Sequence, residues 1–309
     1  MPNAIAPFPI DRERTPIVIA YKNTDYIADE VAPRVPVGKQ EFEWIERSIP
    51  DSYTVKETLV GRTGRVNQIF TKGTLKTDST ENHFLEEPVP QDDIDNAASG
   101  EDPLGDASEF VMDQVLLARE KRIADKVFDL NLYPADQRET LSGTSQFSDF
   151  TNSDPIGVVE NALSQPLLRP THMLLGRAVF DQLKQHPKIV NAIKGEAGVV
   201  NGIARREAIA DLFELEGLIV GDGWYYPTTA TKARIWGKHI TLFHRNPAAK
   251  LKRGGATFML TAQFGQRATG SIADPDVGAK GGYRQRSGES VKEVVASNLA
   301  AYFIQNAVA

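Results

Sequence analysis

Cysteine is absent from all 309 residues, which excludes disulfide scaffolds, thiolate zinc sites and thiol nucleophiles. No apolar run approaches the roughly 18 residues that a membrane span needs. The opening MPNAIAPFPIDRERT has acids and prolines where a secretory signal carries a basic patch and an apolar stretch. A soluble, unexported chain without a membrane partner is therefore expected. What is present is ordinary for a globular protein: 41% hydrophobic and 25% charged residues, ample for one large domain or two smaller ones.

Charge is unevenly placed. Residues 1–100 hold 11 Lys and Arg against 17 Asp and Glu, which accounts for the whole formal net charge of -6. No base lies between Lys76 and Arg119, whereas twelve acids do, among them Glu86, Glu87, Asp92, Asp93 and Asp95. Residues 230–290 carry 11 bases against three acids, and include Lys250, Lys252, Arg253, Arg284 and Arg286. Two readings follow: two solvated faces, or two segments that find each other within or between subunits, because opposed fields set register.

Along the chain, Pro2, Pro7, Pro9, Pro16, Pro33 and Pro36 mark residues 1–40 as an extended arm that cannot bury itself, with helix left open only around Tyr21 to Val31. From 41 to 90 the segments EFEWIERS, SYTVKETLV and RVNQIFTKGTLKT read as β. Gly61 and Gly64 permit a reversal between the last two, with Arg62 and Arg65 beside it. Asp102-Pro103 opens a helix whose apolar spacing runs to about Leu130. Residues 131–155 read as loop, and 155–163 as a short helix. Beyond lie THMLLG (strand), RAVFDQLKQHPKIVNAIKG (helix broken at Pro187), REAIADLFEL (helix), then GLIVGDGWYY, HITLFHR, TFMLTAQF and VKEVVASNLAAYFIQNA (strands). Without strict strand–helix alternation, the fold class is α+β.

Catalytic signatures are missing. The five histidines have no metal-ligand spacing, no serine sits in GxSxG, and GxxxxGK[ST] is absent. Gly221-Asp222-Gly223 reads as a turn. Asp92, Asp93 and Asp95 lack the Gly and closing Glu of a calcium loop. Lys250, Lys252 and Arg253 are open to two readings, a phosphate contact or a surface loop. An absent motif does not exclude an enzyme, because catalytic groups converge in space, but it lowers the odds.

The order of elements, proline-rich arm, long polar hairpin, acidic connection, spine helix and mixed α/β region, resembles the major capsid proteins of tailed phages, of the Hong Kong 97 fold. PIVIAYKNTDYIADEVAPRVPVGKQEFEW, TDSTENHFLEEPVPQDDIDNA and ARIWGKHITLFHRNP are similar to capsid sequences of transposable Mu-like phages over nearly the whole chain. The resemblance implies an N-terminal arm (1–40), an E-loop over a neighbouring subunit (41–90), a peripheral domain with the spine helix (91–170), an axial domain (171–286) and a return to the peripheral domain (287–309).

It further implies self-assembly as pentamers and hexamers into an icosahedral virion shell around double-stranded DNA, put together in the host cytoplasm, with neither catalysis nor a cofactor. The partners would be a separate scaffolding protein, since the arm begins almost at Met1, a portal and a decoration protein. Some family members crosslink Lys to Asn; Lys56, Lys72 and Lys76 lie on the hairpin, with no Asn assigned to them. The expected assembly interface joins the tip residues Gly61, Arg62, Gly64 and Arg65 with Glu86, Glu87, Asp92, Asp93 and Asp95, facing Lys250, Lys252, Arg253, Arg284 and Arg286 across a subunit boundary. DNA contact should be non-specific. An encapsulin-like compartment shell is the rival in the same fold, and a soluble hydrolase with a dispersed site the rival from another class.

Overall fold

The computed structural model describes residues 8–47, 54–69, 73–194, 202–252 and 255–309. Thirteen strands are described: β1 (Arg34–Val37), β2 (Glu41–Arg47), β3 (Gly73–Ser79), β4 (Glu81–Pro90), β5 (Arg138–Thr140), β6 (His172–Gly176), β7 (Gly217–Gly221), β8 (Trp224–Thr228), β9 (Thr231–Arg234), β10 (Ile240–Phe243), β11 (Met259–Asp274), β12 (Gly282–Val295) and β13 (Ala301–Gln305). They form a five-stranded sheet in the order β5-β13-β10-β6-β7, a four-stranded sheet β1-β11-β12-β4, and the pairs β2-β3 and β8-β9.

The five-stranded sheet is buried on both faces, which is why its strands read as continuous apolar runs such as MLLG, LIVG and ITLF. One face, with Leu175, Val220, Ile240, Leu242 and Ile304, packs under the helices Pro155–Ser164, Arg177–Leu183 and Arg206–Leu212. The other, with Leu174, Ile219, Phe243 and Phe303, meets Ile123, Ala124 and Val127 at the end of the spine helix, Pro103–Val127. The helix therefore joins the two sheets. Nearer its start, Ser108 is fully buried and accepts a 2.7 Å bond from Gln285. Thr269 and Ser287 complete a polar seam between helix and four-stranded sheet. Asp102 precedes the helix as expected, but its carboxylate receives Arg14 instead of closing a cap.

Two expectations are corrected. Residues 8–37 pack on their own chain: Thr15–Ala20 and Ala28–Val31 are helical, and Val18, Ile27 and Val31 are buried. Burial against the spine outweighs the prolines, of which Pro16 sits at a helix start and Pro36 on an edge strand, where a missing N–H costs little. The expected division at 286/287 also falls inside one strand, β12. Residues 259–295 form β11 and β12 beside β4, whereas β13 lies in the five-stranded sheet. The hairpin likewise ends at Ser79, and β4 belongs to the four-stranded sheet.

Gly270 in β11 makes room for the N-terminal segment. A Cβ there would stand 2.0 Å from the Pro9 carbonyl and 2.8 Å from the Phe8 ring. Gly270→Val should release residues 8–14 at a cost of about 1–3 kcal/mol, read as faster tryptic cleavage after Arg12 and Arg14. Unchanged protection there would contradict the close fit.

Candidate assembly surfaces

The β2-β3 ladder is anchored by Phe42 and Trp44, which pack on Leu260, Ala262 and Val294 of the four-stranded sheet. Beyond it, residues 54–69 are exposed at every position and have no regular structure. Val55 is 96% exposed, Leu59 82%, Val66 75% and Ile69 73%. The reversal expected at Gly61–Gly64 is present, with the Gly64 N–H donating to the Gly61 carbonyl at 2.9 Å, and Arg62 and Arg65 are exposed beside it. The expected pairing of SYTVKETLV with RVNQIF is not formed among the described residues, since a thin two-stranded ribbon gains too little on its own. The chain exposes 17068 Å² in all, against about 13,000 Å² for a compact monomer of 34.0 kDa.

Within the chain, parts of the acidic and basic stretches meet. Glu86 stands opposite Arg286 in the β4-β12 register and takes Arg286 at 2.6 Å and Arg284 at 3.2 Å. Asp92 takes Lys280 at 2.5 Å, and Glu81 pairs with Lys292. Glu87 lies opposite Gln285. Asp93 and Asp95 are exposed on the short helix Gln91–Asp95, where Gln91 donates to Asp95. Lys250 is exposed, and Lys252 reaches Glu43 of its own chain. Arg253 and Lys72 lie outside the described residues. Among the described residues no three His, Asp or Glu side chains converge on a metal site, and no helix is long and apolar enough to cross a membrane.

Charges that the sequence left unmarked are the buried ones. Glu120, fully buried on the spine, accepts the Ile27 N–H at 2.9 Å, the Ala28 N–H at 2.8 Å and the Trp236 indole N–H at 2.5 Å. Burial raises its pKa even so. Arg119 donates to Asp29 and to Thr261, and Arg34 and Arg267 both reach the buried Glu289. Burial pushes Glu289 up, but the guanidinium of Arg34, with Arg119 and Arg267, more than offsets it and the net direction is down. Spaced on an amphipathic helix and on polar strands, such residues carry no local signal that distinguishes them from a solvated face.

Ser153 and His186 are both buried, with Oγ 3.0 Å from Nε2, the one pairing that a hydrolase reading would seize on. The Lys188 N–H donates to His186 Nδ1, so the neutral ring carries its proton on Nε2 and donates to Ser153. That hydroxyl in turn donates to the Asp149 carbonyl at 2.6 Å. A serine placed this way has no base to receive its proton.

His239 is held similarly. Its Nδ1 accepts the Asn306 N–H at 3.0 Å, and burial, reinforced by Lys238, lowers its pKa to about 4. The unfolded chain takes up this proton below about 6.5 and the folded chain does not, so stability falls as pH drops from about 6.5 towards 4. His239→Gln should flatten that part of the urea-midpoint-versus-pH curve. A superimposable curve would show that His239 is not its source.

No family model matches the sequence. The major capsid protein of Pseudomonas phage JBD67 is 46% identical over 308 residues, covering 98% of this chain and 99% of that protein. That of Burkholderia phage BcepMu is 28% identical over 252 residues, 80% of this chain and 78% of its own. Among solved structures, a phage-related protein of Bordetella bronchiseptica RB50 superposes with a TM-score of 0.74 at 20% identity, covering 96% of this chain and 97% of that one. The capsid of cyanophage P-SCSP1u (TM-score 0.56, 8% identity, 93% and 89% covered) and the SrpI encapsulin of Synechococcus elongatus PCC 7942 (0.54, 10%, 98% and 92%) share the mixed α+β fold. At that distance the fold does not tell virus from compartment, but 46% identity end to end does: the chain belongs to the major capsid proteins of tailed phages, structural components of the virion head and not enzymes.

Proposed function

We propose that this chain assembles as pentamers and hexamers into the icosahedral shell around double-stranded DNA. Residues 41–79 act in this reading as the E-loop laid over a neighbour. The four-stranded sheet with the spine helix forms the peripheral domain, and the five-stranded sheet with its helices the axial domain. The observation that carries the assignment is an exposed, mostly polar loop, 54–69, that leaves Val55, Leu59, Val66 and Ile69 in water while it stands on a hairpin base that is itself buried. A scaffolding protein, a portal and a decoration protein complete the partners. Electron microscopy of the purified chain, expressed with the genes beside its own, tests it: closed shells are expected, and protein that stays monomeric at high concentration refutes it. Particle contents, genome or cargo enzyme, separate a virion head from a compartment.

DNA contact in this reading is weak and blind to sequence, since a net charge of -6 opposes polyanion binding. Duplex fragments of unrelated sequence should bind the subunit equally poorly and release it as salt rises. Nanomolar, sequence-selective binding would contradict this.

A further inference from the structure

Strand β4 is an edge of the four-stranded sheet, paired with β12 on one side only. Which of its backbone groups face outward follows from the ladder. The Gln91 N–H donates to the Gly281 carbonyl at 2.9 Å, and antiparallel partners alternate between facing each other and facing away. Odd-numbered residues of β4 therefore point to β12, and even-numbered ones to the open side. Pro88 and Pro90 confirm the parity, because proline brings no N–H to a ladder and is tolerated only where none is needed. They also blunt the open edge at that end. Asn82, Phe84 and Glu86 remain, presenting N–H and carbonyl groups that no strand among the described residues covers, beside a surface groove of about 440 Å³ lined by Asn82, Phe84, Leu85, Glu86 and Arg286.

We infer that this edge receives residues 65–69 of a second copy of the chain as an added strand. The inference rests on the shell reading above and names the surface on which that loop docks. Three observations select the occupant. RVNQI is a strand-type sequence that takes no regular structure in its own chain and leaves Val66 and Ile69 exposed. Its five residues match the five from Asn82 to Glu86, before Pro88 ends the usable edge. Residues 62–69 carry Arg62 and Arg65 and no acid, and β4 itself carries neither Lys nor Arg, so no base on the receiving strand opposes the loop; Glu81 and Glu86 are already held by Lys292 and by Arg284 and Arg286 of their own chain. Main-chain bonds then supply affinity, and side chains on alternate positions supply register.

The absence of native cysteine makes the test clean. Asn82→Cys is combined in turn with Val66→Cys, Asn67→Cys, Gln68→Cys and Ile69→Cys, and assembled particles are oxidised and run on non-reducing gels. Chains linked into multimers are expected, strongest at positions two apart, since neighbours on a strand face opposite ways. Particles that form without a crosslink at any of the four overturn the edge assignment alone. Failure of the unsubstituted chain to form particles instead strikes the shell reading, and the inference falls with it. A multimer formed with Ile10→Cys and none of the four would give the edge to the N-terminal segment and equally overturn the proposal. In parallel, Asn82→Pro removes one outward N–H and the bond its side chain accepts from the Ser290 hydroxyl, while leaving every main-chain bond to β12, so a folded, soluble chain that no longer forms shells is expected. His83→Pro, on the inward row, should lose the fold itself. Normal shells from Asn82→Pro would count decisively against strand addition.

Discussion

Glu120→Ala should destabilise the subunit by roughly 3–9 kcal/mol, because three buried donors lose their acceptor together and each costs about 1–3 kcal/mol unsatisfied. The donors come from two parts of the chain, Ile27 and Ala28 in the N-terminal segment and Trp236 beside the five-stranded sheet, and the accepting carboxylate stands on a third, the spine. The loss should therefore be accompanied by loosening of residues 8–37, read as faster hydrogen exchange at Ile27 and Ala28. Glu120→Gln should cost less. An amide keeps one acceptor oxygen but turns its NH2 towards a backbone N–H, so about one bond is lost and a donor faces a donor. Urea unfolding of the soluble subunit at neutral pH measures both. Equal stability of Glu120→Ala and the unsubstituted chain would falsify the view that this carboxylate fastens the segment to the spine.

Deleting residues 60–66 should abolish shells and leave the fold intact. Every deleted residue is exposed, and the anchor of the hairpin, Phe42 and Trp44 against Leu260 and Val294, lies outside the deletion. The unfolding midpoint is expected to stay within the small change typical of surface substitutions, about 0.5 kcal/mol, while micrographs show no closed particles. Because the unmodified loop leaves Leu59, Val66 and Ile69 in water, its apolar side chains gain only by meeting another surface. Shells of normal size from the deletion variant would show that the tip has no part in closure. A variant that unfolds would show that the tip supports its own subunit, contrary to the exposure seen here.

Most elements whose buried face is lined by apolar side chains were legible in the sequence, the short helix Thr15–Ala20 being an exception. The spine helix, the break at Pro187, the turn at Asp222 and the strands MLLG, LIVG, ITLF and AYFI stand where apolar periodicity or apolar runs put them. Residues 265–290 escaped because their inward side chains are polar: Thr269, Gln285 and Ser287 bury against Ser108 on the spine, and polar residues at period two look the same whether they face water or a polar seam. Glu120 and Glu289 escaped for a related reason, since nothing adjacent in sequence marks a carboxylate whose donors lie from 22 to 255 positions away.

The expected pairing of opposite charge has the same lesson. The sequence showed that an acidic stretch and a basic one exist, and it carried the family resemblance that the relatives bear out. By itself it also determined the local preferences: where helices start, where glycine allows a turn, which strands are wholly apolar. Only the tertiary structure decided that Glu86 belongs to Arg284 and Arg286 of its own chain, that β12 lies beside β4, and that β13 crosses to the other sheet. Periodicity records which face of an element is buried, a property of neighbours a few residues apart. Partner choice depends on distances between groups up to about two hundred residues apart, and charge or hydrogen-bonding capacity acts only once the fold has brought them within a few ångströms.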